Sequence, residues 1–166
     1  DEDGICCIVS TSLIDLDQNF SFIGSNNGSS YYLSNYRTTW DDANTTSQSF
    51  GGHLVTITDS DEDEFLTGDI FQGNFWIGCS DTQVEGEFQW VTSEEFEYQN
   101  WATGEPNNQN EQDCCQKYNL NNSNDNGWDD AGCGIEEINL SFFVVEFTSD
   151  ICCFDFENDA DEDGIC

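Results

Sequence analysis

The sequence predicts an α+β domain, on three observations. Two segments carry helix-capping signals, several short aromatic and β-branched runs are separated by turn residues, and a long polar insert holds the only proline, Pro106. The 166 residues include 13 Phe, five Trp and five Tyr, and this aromatic content supports a packed core despite 35 acidic side chains. Acidic disordered chains are poor in such residues.

FSFIG at 20–24 and SYYLS at 30–34 flank NNGS and read as a hairpin. Thr38 or Thr39 can N-cap a helix running to about Phe50; Asp41 and Asp42 in its first turn suit the helix dipole, and Gly51-Gly52 ends it. HLVTI at 53–57 is a strand, and Asp59 or Ser60 caps a second, acidic helix to about Thr67. NFWIGCSD at 74–81 and GEFQWVT at 86–92 are strands, and 93–113 is loop. CQKY at 115–118 is strand-like and is followed by an Asn-rich loop and GWDD at 127–130; SFFVVEF at 141–147 is apolar enough to be a central strand. Three divisions follow: 1–19, an acidic, Cys-bearing linker and N-terminal strand; 20–148, the folded body; 149–166, a Cys- and Asp-rich linker.

Arg37 and Lys117 are the only basic side chains, and the formal net charge is −33. Nucleic acid and anionic membranes both need a basic footprint, so neither is expected as a partner. No apolar run approaches the ~20 residues of a membrane span, and no leader is evident, so the chain reads as a mature protein or a fragment of one. Nine cysteines point to disulfides and a secreted, extracellular or cell-surface setting. Divalent cations would relieve the self-repulsion of the acidic shell.

The polar insert contains the chemistry. Calcium takes six to eight hard oxygen ligands. Glu105 and Asn107 flank Pro106 and point the same way if the Glu105–Pro106 bond is cis, while Asp113, Asp129 and Asp130 can supply further charged oxygens. His53 is the only histidine; no nucleophile with a base and no phosphate loop is evident, so no enzyme is expected.

The series WDDA (40–43), GGHLVTI (51–57), WIG (76–78), GEFQW (86–90), NW (100–101), GEPN (104–107) and GWDD with Cys133 resembles the C-type lectin-like domain over about residues 20–148. The resemblance implies that fold: two helices, small antiparallel sheets and a long loop region holding calcium and a ligand. It implies calcium ligation by the EPN pair, by one acid before a family cysteine and by the two residues after the tryptophan, with a sugar diol completing the shell. In this sequence those are Glu105, Asn107, Asp113, Asp129 and Asp130, which would also contact the carbohydrate. The EPN form resembles the group taking equatorial 3- and 4-hydroxyls, as in mannose or glucose.

Several positions depart from the family pattern. Asp129 stands where Asn is usual, so one amide donor is lost and one sugar hydrogen bond changes sign. Spacing from Asn107 favours Asp113 with Cys115 as the family cysteine; Glu111 enters if the loop shifts, and Gln112 if Cys114 is that cysteine. Asp81 and Glu85, with Asn108, match positions of an auxiliary calcium site and equally suit a metal-free acidic turn. The family's long-range disulfide positions are Ser47 and Val145, both without sulfur. The other family disulfide reads as Cys115–Cys133, and the extra Cys79 and Cys114 can meet as a second. Cys6, Cys7, Cys152, Cys153 and Cys166 lie outside the body, where Cys7 can pair with Cys152 or Cys153; zinc is disfavoured because vicinal pairs lack CxxC spacing.

Residues 1–6 and 161–166 both read DEDGIC, 160 residues apart, and residues 7–166 hold an even number of cysteines. The chain therefore reads as one unit of a tandem or filament-forming array that self-associates with identical neighbours. Asp159, Asp161 and Asp163, with Gly164, resemble a thrombospondin type-3 calcium repeat and fit a calcium-stiffened linker or a plain acidic one. The expected function is extracellular, calcium-dependent carbohydrate binding; the alternative is a structural fibre subunit using the same fold without sugar.

Overall fold

The computed structural model of the chain describes residues 18–67, 73–119, 126–134 and 139–148. The expectations for Cys6, Cys7, Cys152, Cys153, Cys166, Asp159, Asp161 and Asp163, and for both terminal linkers, lie outside the described residues. Within them the α+β expectation holds: two helices pack on a mixed sheet.

Strands β1 (Phe20–Asn26) and β2 (Ser29–Ser34) form the hairpin. Its two-residue turn puts Asn27 at φ 48° and Gly28 at φ 90°, the left-handed pair that matches the twist of the strands. Helix α1 (Trp40–Ser49) starts on Thr39, whose side chain accepts from the Asp42 N–H, and it buries Trp40, Ala43 and Ser47. Strand β3 (His53–Leu54) leads to α2 (Ser60–Thr67), where Asp59 caps by accepting from the N–H groups of Asp61 and Glu62 at 2.9 Å each. Then come β4 (Gly73–Ser80), β5 (Gln89–Trp90), β6 (Cys114–Asn119), β7 (Trp128–Ala131) and β8 (Phe142–Phe147). The sheet order is β1-β2-β8-β4-β6-β7, with β3 on β8 and β5 on β4. The apolar closing strand β8 is central as expected, antiparallel to β2 and parallel to β4.

Two predicted strands are shorter than their apolar runs. In 53–57 the Val55 N–H donates to Val144 on β8, while the Val55 carbonyl accepts from Gly78 on β4. The segment thus changes partner mid-run and the ladder stops at Leu54. In 86–92 the first residues belong to a turn held by the Gly86 N–H on Asp81 Oδ2 at 2.8 Å, leaving only Gln89 and Trp90 paired with β4. The Trp128–Asp130 part of GWDD, given no element from sequence, lies in β7.

Among the described residues the disulfides are Cys79–Cys115 and Cys114–Cys133, which corrects the expected Cys115–Cys133 and Cys79–Cys114 pairing. The cause is strand parity, since adjacent residues of a strand face opposite sides of the sheet. Cys115 lies with Cys79, Trp90 and Trp128 in one core cluster, whereas Cys114 lies with Trp40, Trp76 and Phe143 in the other, against Cys133. Ser47 and Val145 are both fully buried; the Ser47 hydroxyl donates to the Ala43 carbonyl at 2.8 Å and leaves no orphaned polar atom.

Helix α2 buries acids. Glu62 accepts from the Tyr31 hydroxyl at 2.8 Å and the Thr58 N–H at 3.0 Å. Burial, with the nearby charge of Glu146 adding, pushes its carboxyl up to about 7 against the lowering effect of the Thr58 N–H. One turn-face further, Asp63 meets Lys117 Nζ at 2.7 Å, and the lysine is fully buried. Asp63 also accepts from Trp128 Nε1 at 3.3 Å, the Tyr98 hydroxyl at 3.2 Å and the Asn100 amide. Lys117 Nζ also donates to the Asn126 carbonyl at 2.9 Å.

Removing one partner of a buried ion pair strands the other charge, a loss of about 3–5 kcal/mol. Lys117→Met should therefore lower unfolding free energy by roughly that amount in urea titration. A loss below about 1 kcal/mol would mean that Asp63 is satisfied by its three neutral donors alone.

Candidate cation and sugar site

The site grows from Trp128. Its N–H donates to the Asn100 carbonyl at 2.7 Å, and its carbonyl accepts from the Ala102 N–H at 2.8 Å. The two segments approach so closely that a Cβ on Gly127 would lie 2.5 Å from the Ala102 nitrogen, which is why glycine precedes the tryptophan. Ala102 then accepts from the Glu105 N–H at 3.0 Å, bringing the Glu105–Pro106 turn beside the end of β7. The Glu105–Pro106 bond is cis.

Asp130 is fully buried and clamps the turn: its Oδ1 accepts from the Asn107 N–H at 2.9 Å and its Oδ2 from the Asn108 N–H at 2.5 Å. The Asn107 amide donates to Glu105 Oε2 at 2.6 Å. Carboxylate oxygens of Glu105, Asp129 and Asp130 all lie within 4.8 Å of one another. Glu105 is pushed up to about 7 by partial burial, then by its contact with Asp130 and the charge of Asp129. Asp129 is raised mainly by burial, with the charge of Asp130 adding. Tyr118, half-buried on β6, hydrogen-bonds Asp129; its phenol is raised by burial and by that contact. Three crowded carboxylates, with Lys117 committed to Asp63, form a donor set that suits a hard divalent cation.

A second acidic group adjoins the first. Asp81 is buried; its Oδ2 is taken by Gly86, while its Oδ1 is buried without a hydrogen-bond partner. The Asp113 carbonyl accepts from the Asp81 N–H at 3.1 Å, and the Asn108 amide donates to Glu85 Oε1 at 2.7 Å. Burial and the charges of Asp81 and Asp113 raise Glu85, and burial with Asp81 and Glu111 raises Asp113. A buried carboxylate oxygen without a partner, in a residue whose charge acts on Glu85 and Asp113, calls for a positive or donor group.

Of the residues expected at the first site, the fold brings together Glu105, Asn107, Asp129 and Asp130. Asp113 is placed with Asp81, Glu85 and Asn108, and Glu111, at φ 59°, carries its charge to that second group. The reason is the disulfide register: Cys114 rather than Cys115 bonds Cys133, so the loop is offset by one residue from the favoured alignment. Sequence reasoning did not single out Tyr118 or Gly127. The Gly127–Trp128 pair is a usable signal, since a glycine before a buried tryptophan marks close backbone approach; Tyr118 gives none without the strand register.

Fold and site together define an α+β domain whose long loop region gathers acidic side chains. A family model, the lectin C-type domain, matches residues 36–138, and the chain belongs to that family. CD209 antigen of Symphalangus syndactylus is 33% identical over 136 residues, 78% of this chain and 33% of the relative. The chain thus spans about a third of that protein's length. A perlucin-like protein of Mytilus galloprovincialis is 33% identical over 114 residues, covering 65% of this chain and 71% of the relative. Among solved structures, the cow CD23 carbohydrate-recognition domain, crystallised with a GlcNAc2Man3 oligosaccharide, matches with TM-score 0.65 and 29% identity over 74% of this chain and 90% of that one. A calcium-independent type II antifreeze protein matches with TM-score 0.66 and 25% identity over 78% and 92%. Among the described residues, no helix is long and apolar enough to cross a membrane.

The raised Glu105 gives a signed expectation. A carboxyl whose folded pKa exceeds its unfolded value stabilises the fold below the unfolded value and loses that contribution as pH rises through the folded one. In chelator, stability should decline as pH rises from about 4.5 to about 7, and Glu105→Gln should reduce that decline. Identical pH–stability curves for the two proteins would remove the Glu105 contribution.

Proposed function

We propose that this domain binds carbohydrate through a calcium ion held by Glu105, Asn107, Asp129 and Asp130. The observation that carries the reading is the convergence of three carboxylates, with the Asn107 amide bonded to one of them, on the turn around a cis proline. The ligand class is a sugar with vicinal equatorial hydroxyls, as the EPN sequence suggests. Asp81, Glu85, Asn108 and Asp113 hold an auxiliary calcium that ties the loop to the end of β4. The carbohydrate-recognition domain of CD23, crystallised with an oligosaccharide, supports the sugar reading by family relation. A secreted or cell-surface setting follows from the disulfides.

A ligand of the folded state alone stabilises it by about 2.7 kcal/mol at a hundred times its dissociation constant. Excess chelator should therefore lower the melting temperature, and calcium should restore it. On a glycan array, a multimeric form should retain mannose- or glucose-type ligands with calcium and release them in chelator. Calcium-dependent melting without retention of any glycan would leave a structural role for the metal and favour a fibre subunit that uses this fold without sugar.

The proposal extends to assembly, on the sequence alone. The two DEDGIC hexapeptides support units repeated along a chain, with Asp159, Asp161 and Asp163 stiffening the junction as a calcium-bound linker. Native material on a reducing, denaturing gel should run as a ladder or a very large band. A single band near 19 kDa together with monomeric elution in calcium would exclude both a continuous chain and a clipped filament.

A further inference from the structure

We infer that the aromatic cleft beside Pro106 is a separate binding site for a small alkylated ammonium cation, of the trimethylammonium type. It does not depend on the sugar reading, because Glu105, Asn107, Asp129 and Asp130 are not among the residues that line it.

The cleft encloses about 390 Å³, and its walls include Glu87, Phe88, Phe96, Gln99, Trp101 and Pro106. That volume is near the lower end of the ~300–1,000 Å³ of ligand sites and suits a small molecule. Its three rings are each partly exposed. They lie close together: between centroids, Phe88 is 4.8 Å from Trp101 and 6.2 Å from Phe96. Phe96 and Trp101 both pack on the fully buried Trp128, at 6.1 and 5.8 Å. The core thus holds the walls in place, and a ligand meets rings that are already ordered.

The polar groups of the cleft select the charge of the ligand. Trp101 Nε1, the one polar atom of that ring, donates to Gln99 Oε1 at 3.0 Å. Gln99 Nε2 donates in turn to the Phe96 carbonyl at 3.5 Å. Indole and amide are therefore tied to the wall itself, and the charged group at the rim is the exposed carboxylate of Glu87. Aromatic rings attract a cation within about 6 Å of their centroids, more strongly once it is desolvated. An alkylated ammonium sheds water more readily than ammonium or a metal ion, and its methyl groups match the apolar walls.

No basic side chain of the protein fills this role. Arg37 and Lys117 are the only two; Arg37 lies over Phe142, and Lys117 is buried against Asp63. A chain of net charge −33 also draws a cation in preference to a neutral or anionic ligand. The cation that the rings and Glu87 suit comes from outside the chain.

Choline chloride is the probe, titrated in the presence of calcium while sodium chloride is withdrawn to hold ionic strength constant. The readout is the Trp101 indole N–H resonance, identified by its loss in Trp101→Phe. Choline should shift it saturably. Its neutral isostere, with a tert-butyl group in place of trimethylammonium, should bind at least about 10-fold more weakly. Phe88→Leu keeps an apolar wall without the ring and should weaken choline about 5-fold. Glu87→Gln, on the exposed rim and outside the packed rings, should weaken it about twofold. No shift with choline, equal affinity for the isostere, or the same shift with ammonium chloride would overturn the proposal. So would parental choline affinity in both Phe88→Leu and Glu87→Gln.

Discussion

The carboxylate of Asp63 is the constraint on which the loop region rests. It projects from α2 into the interior and collects Lys117 from β6, Trp128 from β7, and Tyr98 and Asn100 from the polar loop. Each donor comes from a segment that must be placed before the turn at Pro106 has anything to lean on. The long loop has little regular structure of its own, so apolar burial alone would leave its path underdetermined. A buried charge is costly unless each of its acceptor sites is filled, and that demand selects one arrangement of the four donors. Trp128 then carries the order outward, since the residues following it are those that meet Glu105.

The same interaction governs the charge economy of the molecule. With two basic side chains against 35 acids, the chain commits one lysine entirely to its interior. Arg37 sits over the Phe142 ring, 4.8 Å from its centroid. Neither is in the acidic loop region, so among the described residues repulsion among Glu85, Glu105, Asp113 and Asp129 is met by neutral groups: backbone N–H groups, amides and the Tyr118 hydroxyl. Their raised carboxyls express that shortage.

Much of this was legible in the sequence. The caps of α1 and α2, the Asn27-Gly28 turn, the central position of β8 and the grouping of Glu105, Asn107, Asp129 and Asp130 each follow from local chemistry or from ordered motifs. The disulfide pairing and the placing of Asp113 failed for one cause. Cys114 and Cys115 are chemically identical neighbours, and only the pleat of β6 against β4 and β7 decides which side each faces. An error of one residue there carried through to Asp113, which lies with Asp81 and Glu85 rather than with Glu105. Asp63 was invisible for a different reason: one acid among 35, in an acidic helix, gives no sign that it turns inward. Lys117, in CQKY, read as an ordinary strand residue whose partner was nowhere near in sequence.

The central place of β8 has a consequence for how the chain reaches its native state. Tyr32 pairs with Val145 and Phe75 with Phe142, so the last strand made is the one that joins the hairpin to the β4–β6 ladder. During synthesis, β2 and β4 wait with open edges until nearly the whole domain has emerged, and long-range pairings of this kind are slow to form. Oxidation during that wait meets two vicinal thiols that are not yet held on opposite faces. Either can meet Cys79 or Cys133 until β6 pairs with β4 and β7 and fixes the face each thiol takes.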